Sequence, residues 1–273
     1  MEPFILKSSS FFEIDEWTRE FPDLVAGFTT KHGGISNAPF ASLNFGFHVG
    51  DDQNTVCENR SRLARIIDFP LNQWVGAEQT HEINIRKVTK SDCGYGAFSY
   101  DDAFKATDGF YTTNEGILLT LAYADCVPLY FFAPKQKIIG VAHAGWKGTV
   151  SGIGAEMISI LQRNEAVRPE EVQVVIGPSI CGNCYVVDEP VISHLQNRLE
   201  AVEEKPYNLI GDNQYQLNLR ETNRFLLIEA GVQENHIKQT QLCTSCHHDV
   251  FFSHRKDKGK TGRMISFIGW KEA

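Results

Sequence analysis

Apolar positions alternate between strand-like runs and helix-like spacing from one end of the chain to the other. LVAGFTT at 24–30, closed by an HGG turn, predicts a strand and its exit. NTVCENRSRLARII at 54–67 carries Val56, Leu63, Ile66 and Ile67 behind the capping candidates Asp51, Asp52 and Asn54, and predicts a helix. QWVGAEQTHEINIRKV at 73–88 predicts strand, short break, strand, and GILLTLAYADCVPLYFF at 116–132 predicts an apolar strand interrupted at Asp125-Cys126 and resumed after Pro128. KIIGVAH predicts a buried strand. After the GWKG turn, TVSGIGAEMISILQRN places Val150, Ile153, Met157 and Leu161 on one helical face, with the helix expected to begin near Thr149.

VQVVIGP at 172–178 predicts another strand. ICGNCYVV follows, then a helix with Pro190 in its first turn and Val191, Leu195, Leu199 and Val202 on one side. A last helix is predicted over about 218–230, stopped by Gly231, and DVFFSHRK with TGRMISFIGW around DKGK predicts a terminal hairpin. There is no repeat, low-complexity tract or Pro/Ser-rich linker, so one α/β domain over 1–273 with mixed strand order is the simplest architecture.

Composition changes this picture only at the margins. At 42% hydrophobic and 22% charged, 273 residues can bury a large core. The formal charge of -8 opposes a broad electrostatic hold on nucleic acid or anionic lipid, though small anions can still be bound locally. The N-terminus lacks a basic leader before a long apolar stretch, and runs such as ILLTLAYA are far short of the ~20 residues that span a bilayer. A cytoplasmic protein without a membrane or nucleic-acid partner is expected. Seven cysteines, an odd number in a chain without an export signal, read as reduced thiols or metal ligands rather than disulfide staples.

Three residues interrupt apolar patterns at strand breaks: His81 in EQTHE, Cys126 in YADCVPL and His143 in VAHAGW. Imidazole nitrogen and thiolate sulfur are zinc ligands, and three protein ligands with a fourth position open is the arrangement of a catalytic zinc site. Structural clips take ligands two to four residues apart, whereas these three are remote, so only a fold can assemble them. Read singly, each histidine is equally a hydrogen-bonded turn residue and the cysteine a small buried hydrophobe. Lys147, between Gly145 and Gly148 before a helix start, offers an anion site beside His143, or is simply a solvated lysine in a tight connection.

Cys181/Cys184 and Cys243/Cys246 form two C-x-x-C pairs. Zinc ribbons place such pairs ~15 to 20 residues apart, and the far longer gap here argues against a shared four-thiolate site. Cys243-Thr-Ser-Cys246-His247 also spells the c-type haem attachment motif, which normally accompanies export, and that reading is set aside. GKT at 259–261 lacks the leading glycine of a phosphate loop, having His254 there, and falls in a turn.

Taken together, NFGFHVGDD...ENR, EQTH, YADCVPL, VAHAGWKGT, IGPSIC..CY and FFSHRKDKGKTGR closely resemble, in order and over nearly the whole chain, the bacterial laccase-domain family. That family was long labelled multicopper polyphenol oxidoreductase and has since been reassigned as purine nucleoside phosphorylases. The resemblance implies a single-domain layered α/β/β/α sandwich with mixed sheets, zinc bound by His81, Cys126 and His143, and those three as catalytic residues. It implies phosphorolysis of adenosine, inosine, guanosine and methylthioadenosine, with added adenosine deaminase activity. It implies purine nucleosides and phosphate as partners, and makes Asn44, Arg60 and Lys147 the candidates for contacting them. The chain departs from a tail in which a tyrosine and paired arginines are common by having His254, Arg255 and Lys256, so no role is carried over to that segment.

The oxidase label conflicts with the residues. A multicopper oxidase builds its trinuclear cluster largely from histidine, typically in His-x-His pairs, and this chain has nine histidines and no such pair. Copper could still enter the same site, since it outranks zinc in general affinity. For deamination, Glu78 or Glu82 beside His81 are candidate proton shuttles. Two rival classes remain open: a hydrolase or amidase with Cys126 as nucleophile and His143 as base, and a non-catalytic zinc-stabilised module.

Overall fold

Four strands, Ile117–Tyr123, Val127–Ala133, Ile138–Ala144 and Met264–Trp270, are buried along their whole length except for partly exposed Ala122. Strands apolar on both faces need a layer on each side, and the fold supplies them. In the computed structural model, which describes residues 1–200 and 202–272, these strands form the middles of two six-stranded sheets. One sheet runs Phe4–Ser8, Phe11–Ile14, Leu24–Thr29, Met264–Trp270, Ile117–Tyr123, Trp74–Val75; only the last pairing is parallel. The other runs Ile237–Gln239, Gln173–Ile176, Val127–Ala133, Ile138–Ala144, Gly109–Thr112, Ile85–Lys87, parallel at both ends and antiparallel between.

Alternate side chains of each strand go to opposite layers. Leu119, Leu121, Phe28 and Ile268 from the first sheet meet Phe110, Tyr130, Phe132 and Val141 from the second in a shared core. Leu118, Ile265 and Phe267 turn outward onto Leu63 and Ala64 of the helix Gln53–Ile66. Val127, Leu129 and Phe131 turn outward onto Met157 and Leu161 of Ile153–Glu165 and Leu227 of Leu219–Glu229. The result is the expected α/β/β/α sandwich with mixed sheets. The predicted cap is present: the Asp52 carboxylate accepts from the Thr55 N–H at 2.8 Å.

Ile117–Tyr123 and Val127–Ala133, predicted as one interrupted strand, belong to different sheets. The Asp125-Cys126 break is therefore the crossing from one layer to the other, with Asp125 at φ 87° making the corner. The expected terminal hairpin does not form. Met264–Trp270 pairs instead with Leu24–Thr29 and Ile117–Tyr123, because an entirely buried strand needs a partner on both edges, while Phe251 and Phe252 enter the inter-sheet core from a turn.

The helix expected near Thr149 begins at Trp146, ends at Ser151 and restarts at Ile153 across Gly152, whose φ of 85° suits glycine. The α-helix carrying Pro190 stops at Gln196 and passes into a 3-10 turn ending at Leu199, yet the predicted face holds: Leu195 and Leu199 are buried, and Val191 and Val202 pack against the same core. Phe4–Ser8, Phe11–Ile14 and a small antiparallel sheet of Val186–Asp188, Gln214–Leu217 and Tyr207–Gly211 were not legible as periodic runs. No helix among the described residues is long and apolar enough to cross a membrane.

Candidate active site

The sheet crossing delivers Cys126 to one end of the sandwich, and the exit of Ile138–Ala144 delivers His143 beside it, since Pro128 pairs with His143 and Val127 with Ala144. His81 arrives on the loop before Ile85–Lys87, at φ 63°. One ligand atom from each of the three lies within 4.8 Å of the others. The His81 and His143 rings meet edge-on at 4.8 Å between centroids.

Asp108, with no exposed surface, organises two of the three. Its carboxylate accepts the backbone N–H groups of Thr80 (3.1 Å), His81 (3.1 Å) and Glu82 (2.9 Å), holding the His81 loop in its left-handed turn. The same carboxylate accepts from His143 Nδ1 at 2.9 Å, which leaves Nε2 as the free lone pair. Its own carbonyl accepts the His143 N–H at 2.7 Å. Burial alone would push the Asp108 carboxyl up, but His143 and these backbone donors outweigh it and hold it below the ordinary carboxylate value.

Burial would likewise raise the Cys126 thiol, yet His143 and His81 bring it well below the usual thiol range. His143 is opposed by burial and raised by Cys126 and Asp108. Gly145 keeps the cradle open: a Cβ there would lie 2.9 Å from His81 Cδ2 and 3.1 Å from Cys126 Sγ. Two imidazoles and a depressed thiol converging on one gap, with a carboxylate fixing one ring's tautomer, fit a three-ligand zinc centre with an open position.

The trio sits between two clefts. One, of about 370 Å³, is walled by Gln79, Tyr100, Trp146, Tyr185, Arg255 and Arg263 among others. The other, of about 310 Å³, includes Thr80, Lys147, Ile180 and Leu219. Lys147 is exposed at this second mouth, in the first turn of Trp146–Ser151 rather than in a loop before it.

Asn44 and Arg60 line neither cleft. Arg60 is buried, with its Nε and Nη2 donating to Phe45 O and its Nη1 to Gly96 O and Ala97 O, so its fork is occupied by carbonyls outside both clefts. Asn44 acts one step back from the cleft: its Oδ1 accepts the Arg263 N–H at 2.8 Å and positions that residue. Glu78 pairs with Lys105 at 3.1 Å, and Glu82 lines an outer pocket shared with His81, Trp146 and Lys147, so neither proton-shuttle candidate lines the larger cleft.

Residues that sequence reasoning passed over supply the walls. Arg255 lies in the segment given no role, and its N–H donates to Asp125 Oδ2 at 2.7 Å. Asp108 carried a weak signal, a polar Thr-Asp pair opening the apolar strand Gly109–Thr112. A further surprise is that Cys181, Cys184, Cys243 and Cys246, judged too far apart along the chain to meet, lie together. Strand pairing explains it: Gln173–Ile176 and Ile237–Gln239 run parallel and side by side, and the chain after each delivers one cysteine pair to the same end.

Residues 25–271 match the family described as Multi-copper polyphenol oxidoreductase laccase. The chain is 49% identical over 252 residues to Purine nucleoside phosphorylase YlmD of Geobacillus stearothermophilus, covering 92% of each. It is 45% identical to the protein of that name from Bacillus subtilis, covering 99% of this chain and 98% of that one. Among solved structures, that of YlmD from Geobacillus stearothermophilus superposes with a TM-score of 0.96 at 46% identity over the full length of both. The Bacillus licheniformis hypothetical protein YfiH gives 0.96 at 48%, covering 99% of this chain and 100% of that one. On its sequence, its fold and the whole length of the match, the chain belongs to the multi-copper polyphenol oxidoreductase laccase family.

Proposed function

We propose that this protein is a purine nucleoside phosphorylase working in the 370 Å³ cleft over His81, Cys126 and His143, with zinc as the ion those three hold. One observation carries the reading. Two arginines, Arg255 and Arg263, and the aromatic side chains Tyr100, Trp146 and Tyr185 wall the same cleft whose floor is the His/Cys/His cluster. An anion and a flat purine can therefore be bound against one another.

In phosphorolysis a phosphate oxygen bonds to the ribose C1′ as the bond from C1′ to the purine nitrogen breaks, its electron pair leaving with the base. Arg255 gives Nη1 to Val186 O and Arg263 gives Nη1 to Thr261 O and Gly262 O, so their remaining N–H groups and fixed positive charge are what would hold phosphate in line, and guanidinium stays protonated at any working pH. Burial lowers Arg263 from its ordinary value, with Cys126 and Asp125 opposing that effect. Asn44 fixes its backbone. Lys147 at the second mouth is positioned to take part in anion entry.

The adenosine deaminase activity, and any preference among adenosine, inosine, guanosine and methylthioadenosine, is part of this proposal. A divalent ion bound by the trio would supply Lewis acidity and lower the pKa of water, the chemistry that deamination of adenine requires. Among the described residues, the His/Cys/Asp/Glu groups able to hold a metal are this trio and the four-cysteine cluster. Neither is the histidine-rich donor set of a trinuclear copper centre, so polyphenol oxidation remains disfavoured.

Asp108–His143–Cys126 also has the order of a Cys-His-Asp hydrolase triad, and the depressed thiol favours that second reading. A triad, however, has no use for His81 at the same sulfur. Incubating metal-loaded protein with adenosine, with and without phosphate, separates these outcomes. We expect adenine and ribose 1-phosphate only when phosphate is present, inosine from deamination, and loss of all three in Cys126→Ala. Absence of all three products from the wild type, with Cys126→Ala behaving identically, would end the nucleoside reading; the same products from both proteins would remove Cys126 from the site, and an acyl-enzyme on Cys126 would establish the triad instead.

A further inference from the structure

At the outer end of the Gln173–Ile176 and Ile237–Gln239 pair, four sulfurs gather apart from the His81/Cys126/His143 trio. Cys246 Sγ lies 3.4 Å from Cys184 Sγ and 3.9 Å from Cys181 Sγ, and one sulfur from each of the four lies within 4.8 Å of the others. Four thiolates about 2.3 Å from a central zinc are spaced roughly 3.8 Å from one another in a tetrahedron. The observed spacing matches that figure. Cys246 approaches two sulfurs at once, which a single disulfide cannot use.

The backbone around the sulfurs is folded as metal knuckles are. Within the first pair, Cys184 N–H donates to Cys181 O at 3.0 Å, closing a tight turn. Cys243 Sγ accepts two backbone N–H groups, from Cys181 at 3.2 Å and from Cys246 at 3.4 Å, the pattern that favours a thiolate. Buried Arg220 donates to Thr240 O and Leu242 O, the carbonyls that lead into Cys243, and so places a positive charge beside the cluster. All four vertices are protein sulfur, leaving none for substrate.

We propose that Cys181, Cys184, Cys243 and Cys246 form a second, closed tetrathiolate zinc site that fastens two loops together behind the candidate active site. The residues next to the ligands explain why it matters. Ile180 N–H donates to Asp125 O at 3.0 Å, Thr244 Oγ1 donates to Asp125 Oδ1 at 2.6 Å, and Thr244 N–H donates to Ser179 O at 3.2 Å. Both halves of the clip thus grip Asp125, the corner residue that presents Cys126. The inference does not depend on which reaction the cleft performs.

Metal analysis of the full chain, purified under reducing conditions, tests it. A His81→Ala/His143→Ala variant keeps one zinc equivalent per chain, and adding Cys184→Ser/Cys246→Ser removes it. Cobalt(II) bound to the first variant shows the intense thiolate charge-transfer absorption of a tetrahedral sulfur site, which the second lacks. Because the quadruple variant can fail to fold, the wild type supplies an independent readout: its four clip thiols resist a thiol reagent until a chelator is added. Zinc content unchanged by the cysteine substitutions, equal thiol reactivity with and without chelator, or a Cys184–Cys246 disulfide in freshly reduced and purified protein would each overturn the proposal.

Discussion

A single carboxylate, Asp108, accepts three consecutive backbone N–H groups and an imidazole N–H with no exposed surface of its own. Replacing it with alanine strands the N–H of buried His143, which costs on the order of 1 kcal/mol or more without a partner, whereas Thr80, His81 and Glu82 are exposed and water can take over their N–H groups. Asp108→Ala is therefore expected to lower unfolding free energy by about 1 to 2 kcal/mol in a urea titration. It also frees the His143 tautomer and the His81 turn, and loss of such an orienting partner weakens metal binding by roughly 10- to 100-fold, measurable by chelator competition.

His48, exposed at the rim of the cleft with its ring 5.6 Å from that of Tyr100, behaves in the opposite sense. Desolvation of its ring against the cleft first, then the charges of Arg263 and Arg60 and the neighbouring His143 and His81, push it down to about 4, with solvent at its exposed side weakening the effect. An unfolded histidine titrates near ~6.5, so between these values the unfolded chain carries a proton that the folded one lacks. Stability from this residue is thus undiminished above pH ~6.5 and declines as pH falls towards 4. His48→Gln removes the effect. Its urea midpoint, compared with wild type at pH 7.5 and 4.5, is expected to improve relative to wild type only at the lower pH.

Among the secondary-structure elements, the turn between Ile138–Ala144 and Trp146–Ser151 does the most to shape the site, because the strand must end just past His143 and the helix must start without a side chain intruding on the trio. Gly145→Ala puts a Cβ 2.9 Å from His81 and 3.1 Å from Cys126 while its φ of -67° suits alanine. Metal affinity is expected to fall at least ~10-fold with thermal stability of the metal-free protein nearly unchanged, since the clash is with ligands and not with the core. Equal metal affinity in the variant would show that the cradle is roomier than the geometry says. The elements themselves were largely legible: the predicted runs at 24–30, 116–132 and 137–143 became buried strands because local apolar periodicity controls them. The terminal hairpin was not, since a strand's partners are set by distant segments and Met264–Trp270 found two of them.

Across the whole molecule, two facing sheets set the crossing that carries Cys126 and the strand exit that carries His143 side by side at one end of the sandwich. Tyr130 shows how closely the layers are tied: its hydroxyl donates to Gly27 O at 2.6 Å across the core. From the sequence alone came the strand and helix periods, the breaks that free His81, Cys126 and His143, and a donor chemistry suited to zinc rather than to a copper cluster. Those depend on neighbours a few residues away, where sterics and apolar spacing act directly. Only the tertiary structure decided that Asp108 would hold His143 and the His81 turn, that Arg60 would be buried among carbonyls away from the clefts while Arg255 and Arg263 line one, and that two remote cysteine pairs would share one corner. Guanidinium and thiol groups look alike wherever they stand in a sequence; long-range strand pairing settles which of them are buried, which are satisfied, and which are left facing a ligand.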